Sequence, residues 1–414
     1  MNGEAPATAQ KGPKTAEIRG LAVGALRRIL ENIRAGELGS LPVIIGRIFI
    51  SAFFYYKDSN FVSGSNLNNL ISQMAGVVVI AFGTVFVLLI AEIDLSAGFL
   101  SGVGGVVVGE LTLVGSSHAY SGLIAIPLAL AVGALYGLIQ GVFVAYIGVP
   151  SFVVTLAGML AAEGLIIVLL TQGVISIQDK WVNDSANYFF SHSTGWIVAI
   201  VVSALYAFAV LSAQVGRLRG GGTKNLLWNA LAKIAAVSIG MFVLVAWSNR
   251  DPDRGLPLSF VIILVLYAFW NFVATRTTFG RHVYAVGGNA EAAHRSGINV
   301  ARIKLIVFML AGMMAALGGV ILASRLSSVD INAGGGTILF DAIAGAVIGG
   351  TSLFGGRGQV KGAVLGVLVV YLIYNGLATI GYSTDVNYIV TGLLLLAAVM
   401  LDTVSRKRQE KVGR

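Results

Sequence analysis

Residues that could carry enzymatic or metal chemistry are few in this sequence of 414 residues. It contains no cysteine, which excludes disulfides, thiolate metal sites and cysteine nucleophiles. Its four histidines, His118, His192, His282 and His294, do not have the spacing of metal ligands. No Gly-x-x-x-x-Gly-Lys-Ser/Thr string occurs, so the chain lacks a phosphate-binding loop for ATP. We find no nucleophile–base arrangement and expect no catalytic residue, metal site or cofactor in this chain.

A second set of polar residues lies between or within long apolar runs. Glu92, Asp94 and Ser96 separate two such runs, and Glu163 lies inside a later one. Acids at membrane depth are costly and often functional, so these residues could line a substrate path. In the structural interpretation, Asp94 or Ser96 caps the next helix and Glu92 lies among lipid headgroups. Both interpretations remain open at this stage.

The basic segment 276–302 lies between two apolar runs. Gly287 and Gly288 break it, and Asn289 is expected to cap a short helix that contains Glu291. Gly297 is expected to end that helix after about two turns. A short, stiff helix between two spans suits a lever that a partner protein grips, and the alternative is a solvated connector.

The elements that must position these residues follow from composition. Hydrophobic residues make up 56% of the chain and charged residues 11%, with a mean hydropathy of +0.85. Soluble domains carry roughly 25% charged residues, so this chain needs lipid as part of its solvent. The net charge of +9 lies in loops between apolar runs, which indicates membrane orientation and no nucleic acid partner. We predict an all-α polytopic transmembrane bundle.

Twelve apolar runs account for most of the chain. They lie at about 40–57, 69–91, 97–115, 121–146, 151–171, 194–213, 226–248, 257–275, 303–324, 338–353, 360–381 and 386–402. A spanning helix needs about 20 apolar residues, so the short runs 338–353 and 386–402 could form either spans or re-entrant or broken helices. The predicted number of spans is therefore ten to twelve. Glycines four residues apart at Gly345/Gly349 and Gly358/Gly362/Gly366 predict close helix packing.

Lysine and arginine set the predicted orientation. With both termini on the cytoplasmic side, 20 of the 28 basic residues lie inside and five outside. We therefore divide the chain into a cytoplasmic tail with an amphipathic interfacial helix (1–39), a transmembrane domain (40–402) and a basic cytoplasmic tail (403–414).

Several strings together resemble one family of transporters. They are FGR, YAVGGN, EAA and SGI within 278–298, AEIDLS at 91–96, PSFVVTLAGM at 150–159, DAIA at 341–344 and GGTSLFGG at 349–356. Over about 65–405 the chain resembles the ABC importer permeases of the ribose/xylose class. An extra apolar hairpin at about 214–258 is most similar to the D-xylose permease branch. The Ile-x-Leu-Pro continuation found in other ABC importer classes is missing, which places the chain outside those classes.

The resemblance implies a permease that moves a monosaccharide, D-xylose or a similar pentose or hexose, across the bacterial inner membrane. It implies a homodimer, a cytoplasmic ATP-binding subunit that holds ATP and Mg²⁺, and an extracytoplasmic sugar-binding protein. The residues expected to couple to the ATPase are Gly280, Arg281, Asn289, Glu291, Ala292, Ala293 and Gly297. Those expected along the sugar path are Glu92, Asp94, Ser96, Ser151, Phe152, Thr155 and Glu163.

Two other classes were weighed against this one. An ion-coupled secondary sugar transporter would also have about twelve spans, but that class usually carries internal repeats and buried ionisable groups. We see no obvious repeat between the two halves, and the longest inner loop follows the eighth run instead of the sixth. A membrane enzyme is disfavoured by the missing catalytic arrangement.

Overall fold

A computed structural model describes residues 41–115, 119–219 and 225–411, which form a helical bundle with one short pair of strands. The elements in chain order are α1 (Leu41–Lys57), a 3₁₀ turn (Ser59–Val62), α2 (Gly64–Leu89), α3 (Ala97–Leu111), α4 (Gly122–Val142) with its π-helical continuation (Phe143–Ile147), α5 (Ser151–Leu169), β1 (Val174–Ser176), α6 (Lys180–Asn187), α7 (His192–Arg219), α8 (Asn225–Ser248), α9 (Leu258–Arg276), α10 (Thr278–Gly288), α11 (Ala290–Arg295), α12 (Val300–Leu326), β2 (Ser328–Asp330), α13 (Ile338–Ile348), α14 (Val360–Thr379) and α15 (Thr384–Lys411). The interfacial helix predicted within 1–39 lies outside the described residues.

Nine helices of the described part are long and apolar enough to cross a membrane: α2, α4 with its continuation, α5, α7, α8, α9, α12, α14 and α15. The number is below the predicted ten to twelve because three apolar runs form shorter helices. These are α1, α3 and α13, with 17, 15 and 11 residues. Of the two alternatives for 386–402, the break is wrong and the span is present. Polar residues on both sides continue the helical hydrogen bonds of this run, so α15 has 28 residues.

Helices α2 and α12 form the centre of the bundle. The apolar window of α2 is 94% buried, whereas that of α7 is only 6% buried. Helix α12 packs against α2, α3 and α4. Small residues permit these contacts: a Cβ atom added to Gly312 of α12 would lie 2.2 Å from the carbonyl oxygen of Gly133 in α4. Such close backbone approach is how membrane helices pack without a hydrophobic driving force between them.

The predicted glycine crossing is present between α13 and α14. A Cβ atom added to Gly349 would lie 2.0 Å from the carbonyl oxygen of Gly362, and one added to Gly366 would lie 1.8 Å from that of Gly345. Any larger side chain at these positions would push the two backbones apart. The spacing of four residues therefore encodes the contact between the two helices, and the prediction of close packing is confirmed.

The bundle has two distinct ends. We call the end that carries residues 276–304 the basic end, and the end that carries β1, β2 and residues 249–257 the strand end. Strands β1 and β2 pair antiparallel, with Ile175 opposite Val329. Helix α2 runs between the ends, and its 26 residues span about 39 Å.

Candidate functional site at the basic end

Two short helices form the segment expected to couple to a partner. Thr277 caps α10 by accepting the N–H of Gly280 at 3.1 Å. Asn289 caps α11 by accepting the N–H of Ala292 at 2.9 Å, so this predicted cap is confirmed. The break predicted at Gly287 and Gly288 falls at the second glycine, because α10 ends at Gly288 and Asn289 separates it from α11. The segment therefore contains two helices where the sequence predicted one.

Helix α11 ends as predicted and points its polar face into solvent. Gly297 has φ +84°, the left-handed conformation that favours glycine, and Ile298 donates its N–H to the carbonyl of Ala293 at 3.1 Å. Glu291 and Arg295 form an exposed ion pair at 3.1 Å, with 70% and 77% of their side chains accessible. Ala293 is buried on the opposite face. Helix α11 therefore has one exposed polar face and one face packed against the rest of the protein.

A backbone contact that we call the glycine junction joins α10 to two other segments. Leu89, at the end of α2, accepts the N–H of Gly356 at 2.9 Å. A Cβ atom added to Gly287 would lie 1.6 Å from the carbonyl oxygen of Leu89 and 2.6 Å from the nitrogen of Gly356. Tyr284 reaches the same turn by donating its hydroxyl to the carbonyl of Gly358 at 2.8 Å. Three segments far apart in sequence therefore touch through their main chains.

The acidic break, residues 92–96 between α2 and α3, is joined to α12 by an ion pair. Ala91 has φ +61°, unusual for a residue with a side chain, and this sharp turn directs the chain away from α2. Glu92 then forms an ion pair with Lys304 in the first turns of α12. Their side chains are 14% and 23% exposed, so water screens the pair only partly. Glu92 therefore holds a specific partner, in contrast to the headgroup position weighed from the sequence.

Asp94 makes the buried hydrogen bonds that begin α3. Its carboxylate accepts the N–H of Ser96 at 2.8 Å and the hydroxyl of Ser96 at 2.6 Å. Burial raises the pKa of the Asp94 carboxyl, and hydrogen bonds from Ser96 and Ala97 oppose this shift by stabilising the carboxylate. Ser96 precedes the helix, but its side chain does not cap it. Of the two capping residues proposed, Asp94 is therefore the one that binds backbone N–H groups.

Three side chains of α4 and α5 form hydrogen bonds to the acidic break. Gln140 of α4 donates its amide to the Ser96 hydroxyl at 3.0 Å. Ser151 accepts the N–H of Ile93 at 3.3 Å, and Thr155 donates its hydroxyl to the carbonyl of Ile93 at 3.2 Å. The predicted path residues Glu92, Asp94, Ser96, Ser151 and Thr155 thus lie together at the basic end.

Two predicted path residues lie outside this cluster. Phe152 is 54% exposed on α5, whereas the neighbouring Ser151 is buried. Glu163 is half-buried on the same helix, about 12 Å farther along it than Thr155. The structure therefore brings together five of the seven residues and separates the other two.

Sequence reasoning missed three residues that complete the site. Gln140 lies inside an apolar run, and a polar residue at that depth was the signal that could have identified it. Lys304 follows the basic segment directly, but nothing local pairs it with Glu92. Tyr284 begins the string YAVGGN, but nothing in that string predicts that its hydroxyl contacts Gly358. Within the described ranges, no three His, Asp or Glu side chains come together in a way that could hold a metal ion.

Comparisons with known proteins agree with this architecture. Residues 66–399 match the family described as branched-chain amino acid transport system / permease component. The xylose transport system permease protein XylH of Escherichia coli K12 is 38% identical over 91% of this chain and 95% of its own length. The Haemophilus influenzae Rd protein of the same name is 36% identical over 91% of this chain and 99% of its own.

A relative named for ribose is also similar to this chain. The ribose import permease protein RbsC of Escherichia coli K12 is 33% identical over 87% of this chain and 92% of its own length. No solved structure matches the chain. The resemblance inferred from the motifs is confirmed by these matches.

Proposed function

The chain belongs to the family of branched-chain amino acid transport system permease components, and we propose that it is the permease subunit of an ATP-driven ABC importer for a monosaccharide. The relatives named for xylose and ribose support D-xylose, or a similar pentose or hexose, as the substrate. The chain is a multi-pass membrane protein, and the bacterial inner membrane is its location.

One observation carries the mechanism: the motif segments meet at the basic end. Helix α11 is exposed, while the adjoining α10 is fixed to the end of α2 through the glycine junction. Glu92 ties the acidic break to α12 through Lys304. A protein that moves α11 would therefore also move the ends of α2, α3 and α12. This arrangement supports α11 as the contact for the ATP-binding subunit, with Glu291 and Ala292 exposed on α11 and Arg281 exposed on the adjoining α10.

The orientation follows from the distribution of basic residues. The segment 276–302, the turn 354–361 and the C-terminal tail 403–414 together carry many of the lysines and arginines counted on the cytoplasmic side. The basic end is then cytoplasmic, where an ATP-binding subunit can reach α11. The strand end faces outward, toward a sugar-binding protein.

An exposed apolar surface and the missing phosphate-binding loop bear on two further partners, a second permease copy and the ATP-binding subunit. On α5, Phe152, Leu156 and Leu160 form an exposed apolar stripe at intervals of four residues, which suits lipid or a second permease copy. ATP and Mg²⁺ bind to the ATP-binding subunit, because the sequence has no phosphate-binding loop. The sugar crosses between the two copies by alternating access, and no cofactor resides in this chain.

Reconstitution tests the proposal against the ion-coupled alternative. The permease, its ATP-binding subunit and the sugar-loaded binding protein are combined in liposomes, and D-xylose uptake and ATP hydrolysis are measured together. We expect sugar-stimulated hydrolysis only when all three components are present. ATP-independent accumulation of sugar by the permease alone, driven by a proton or sodium gradient, would overturn the proposal. D-Ribose in parallel reports the choice of sugar.

A further inference from the structure

A polar cavity of about 260 Å³ lies at the strand end, at the opposite end of α2 from the glycine junction. Three parts of the chain form its walls: the first turns of α2, the end of α6 with the residues that follow it, and the loop between α8 and α9. Arg325 of α12 closes the remaining side. The predicted extra hairpin therefore supplies one wall of this cavity.

The wall from the α8–α9 loop is firmly held in place. Asn68 of α2 donates its amide to the carbonyl of Ser248 at 3.2 Å and to that of Arg254 at 3.3 Å. The Ser248 hydroxyl returns a hydrogen bond to the Asn68 side chain at 2.6 Å. His192 is hydrogen-bonded to the carbonyl of Asp251 at 2.9 Å. The cavity is thus preformed, as most small-molecule sites are.

Two acidic and two basic side chains, all within the described ranges, line the cavity, and they form no ion pair with one another. Asp251 and Asp253 face it from the loop together with Arg254, and Arg325 faces it from α12. All four residues belong to the described part of the chain, and no ion pair joins any two of them there. Two carboxylates and two guanidinium groups disfavour a ligand with a net charge. They offer strong acceptors and donors to a neutral ligand that has many hydroxyl groups.

An aromatic ring completes this chemistry. Phe189 lines the cavity, and the guanidinium of Arg254 lies 5.1 Å from the centre of its ring. An aromatic face carries negative charge density that attracts the C–H groups of a sugar ring. The cavity is also smaller than the pockets of about 300–1,000 Å³ that hold drug-sized ligands, which suits a single sugar ring.

We infer that this cavity is a low-affinity monosaccharide site on the outer face of the permease, where the sugar binds before it crosses. The inference rests on the proposed function for its orientation and its substrate. Carboxylates and guanidinium groups bind the hydroxyl groups, and Phe189 packs against the sugar ring. The extra hairpin contributes two carboxylates and a guanidinium, so it shapes the selection of the sugar at this site.

Protection of a single thiol tests the site without any transport. The chain has no cysteine, so Ser65→Cys places one thiol at an exposed position of the cavity wall. Ser59→Cys, exposed in the 3₁₀ turn before α2 and outside the cavity, is the matched control. The full chain in lipid nanodiscs is treated with a charged maleimide and increasing D-xylose. At ten times the dissociation constant, labelling of Ser65→Cys should slow about tenfold, since only the free fraction reacts.

A second pair of variants assigns the protection to the cavity. In the Ser65→Cys background, Asp253→Asn should abolish protection, whereas Asp184→Asn, which alters a carboxylate of α6 outside the cavity, should retain it. Equal labelling with and without D-xylose, or equal slowing at Ser59→Cys, would overturn the inference. Protection by the sugar-binding protein and not by D-xylose would assign this face to docking and overturn it as well. ATP-independent uptake would refute the proposed function. The labelling rates are measured without transport, so failure of the inference and failure of the proposed function can be told apart.

Discussion

Replacing Gly287 by alanine tests whether the glycine junction transmits motion from α10 to the acidic break. The added Cβ atom would lie 1.6 Å from the carbonyl oxygen of Leu89 and 2.8 Å from its carbon. An ordinary contact between carbon and oxygen is about 3.3 Å or longer. The two backbones must therefore separate by roughly 1.7 Å, because neither contact is with a flexible side chain.

The magnitude follows from what this separation breaks. The hydrogen bond from Gly356 to Leu89, now 2.9 Å, would be lost, and a typical hydrogen bond contributes about 1 kcal/mol. Overpacking adds about 1–3 kcal/mol. The two effects together reach about 2–4 kcal/mol. The cost falls on the coupled state, in which α10 contacts α2. Since about 1.4 kcal/mol is a factor of ten, a loss of about 2 kcal/mol from that state should lower sugar-stimulated ATP hydrolysis and D-xylose uptake roughly thirtyfold.

The assay compares Gly287→Ala with its neighbour in the complete importer. Gly288→Ala is the matched control, because a Cβ atom added there meets no described atom within 4 Å. Both variants are purified, and their thermal unfolding and elution from a sizing column are compared with those of the wild type. We expect Gly288→Ala to transport normally and Gly287→Ala to lose coupling while remaining folded and inserted. Normal uptake by Gly287→Ala, or equal losses in both variants, would refute the reasoning.

Three further predictions concern the basic end and the orientation of the chain. Gly297→Leu should lower D-xylose uptake without preventing membrane insertion, because Gly297 has φ +84°, which a leucine rarely adopts. Gly297→Asn should lower uptake less, since asparagine tolerates that conformation. Equal uptake by the two variants would contradict this prediction. Glu92→Gln should lower the unfolding temperature by leaving the partly buried Lys304 unpaired, a loss of about 1–3 kcal/mol, and exchanging the two charged residues should restore part of it. Ser296→Cys should react with an impermeant maleimide only from the cytoplasmic side, whereas Ser59→Cys should react only from outside; the reverse labelling would refute the orientation.

Local features of the fold could be read from the sequence because they depend on neighbours in the chain. Apolar runs predicted most spanning helices, since each run must satisfy its own backbone inside lipid. The Asn289 cap and the Gly297 ending were predictable because both act within one helical turn. Hydropathy does not decide between a span and a break at 386–402, because it measures apolar length and the helix of α15 also includes its polar flanks.

The candidate site was only partly predictable. Glu92, Asp94 and Ser96 stand out in the sequence as an acidic break, but their partners Lys304 and Gln140 come from other helices. Gln140 stands out as a polar residue inside an apolar run, but the local sequence does not show that its partner is Ser96. Likewise, the four charged side chains of the strand-end cavity lie on two segments far apart in sequence, and only folding brings them together.

The sequence by itself determined that this chain spans a membrane many times, where its short capped helix begins and ends, and which family it resembles. These properties follow from hydropathy, capping and strings of residues, all of which act over short stretches. Only the tertiary structure decided that α2 lies at the centre, that Gly287 touches Leu89 and that Glu92 pairs with Lys304. The physical reason is that lipid solvates apolar helix faces almost equally well, so hydropathy does not rank helix pairs. Close steric fit between small residues, together with a few buried polar contacts, makes that choice.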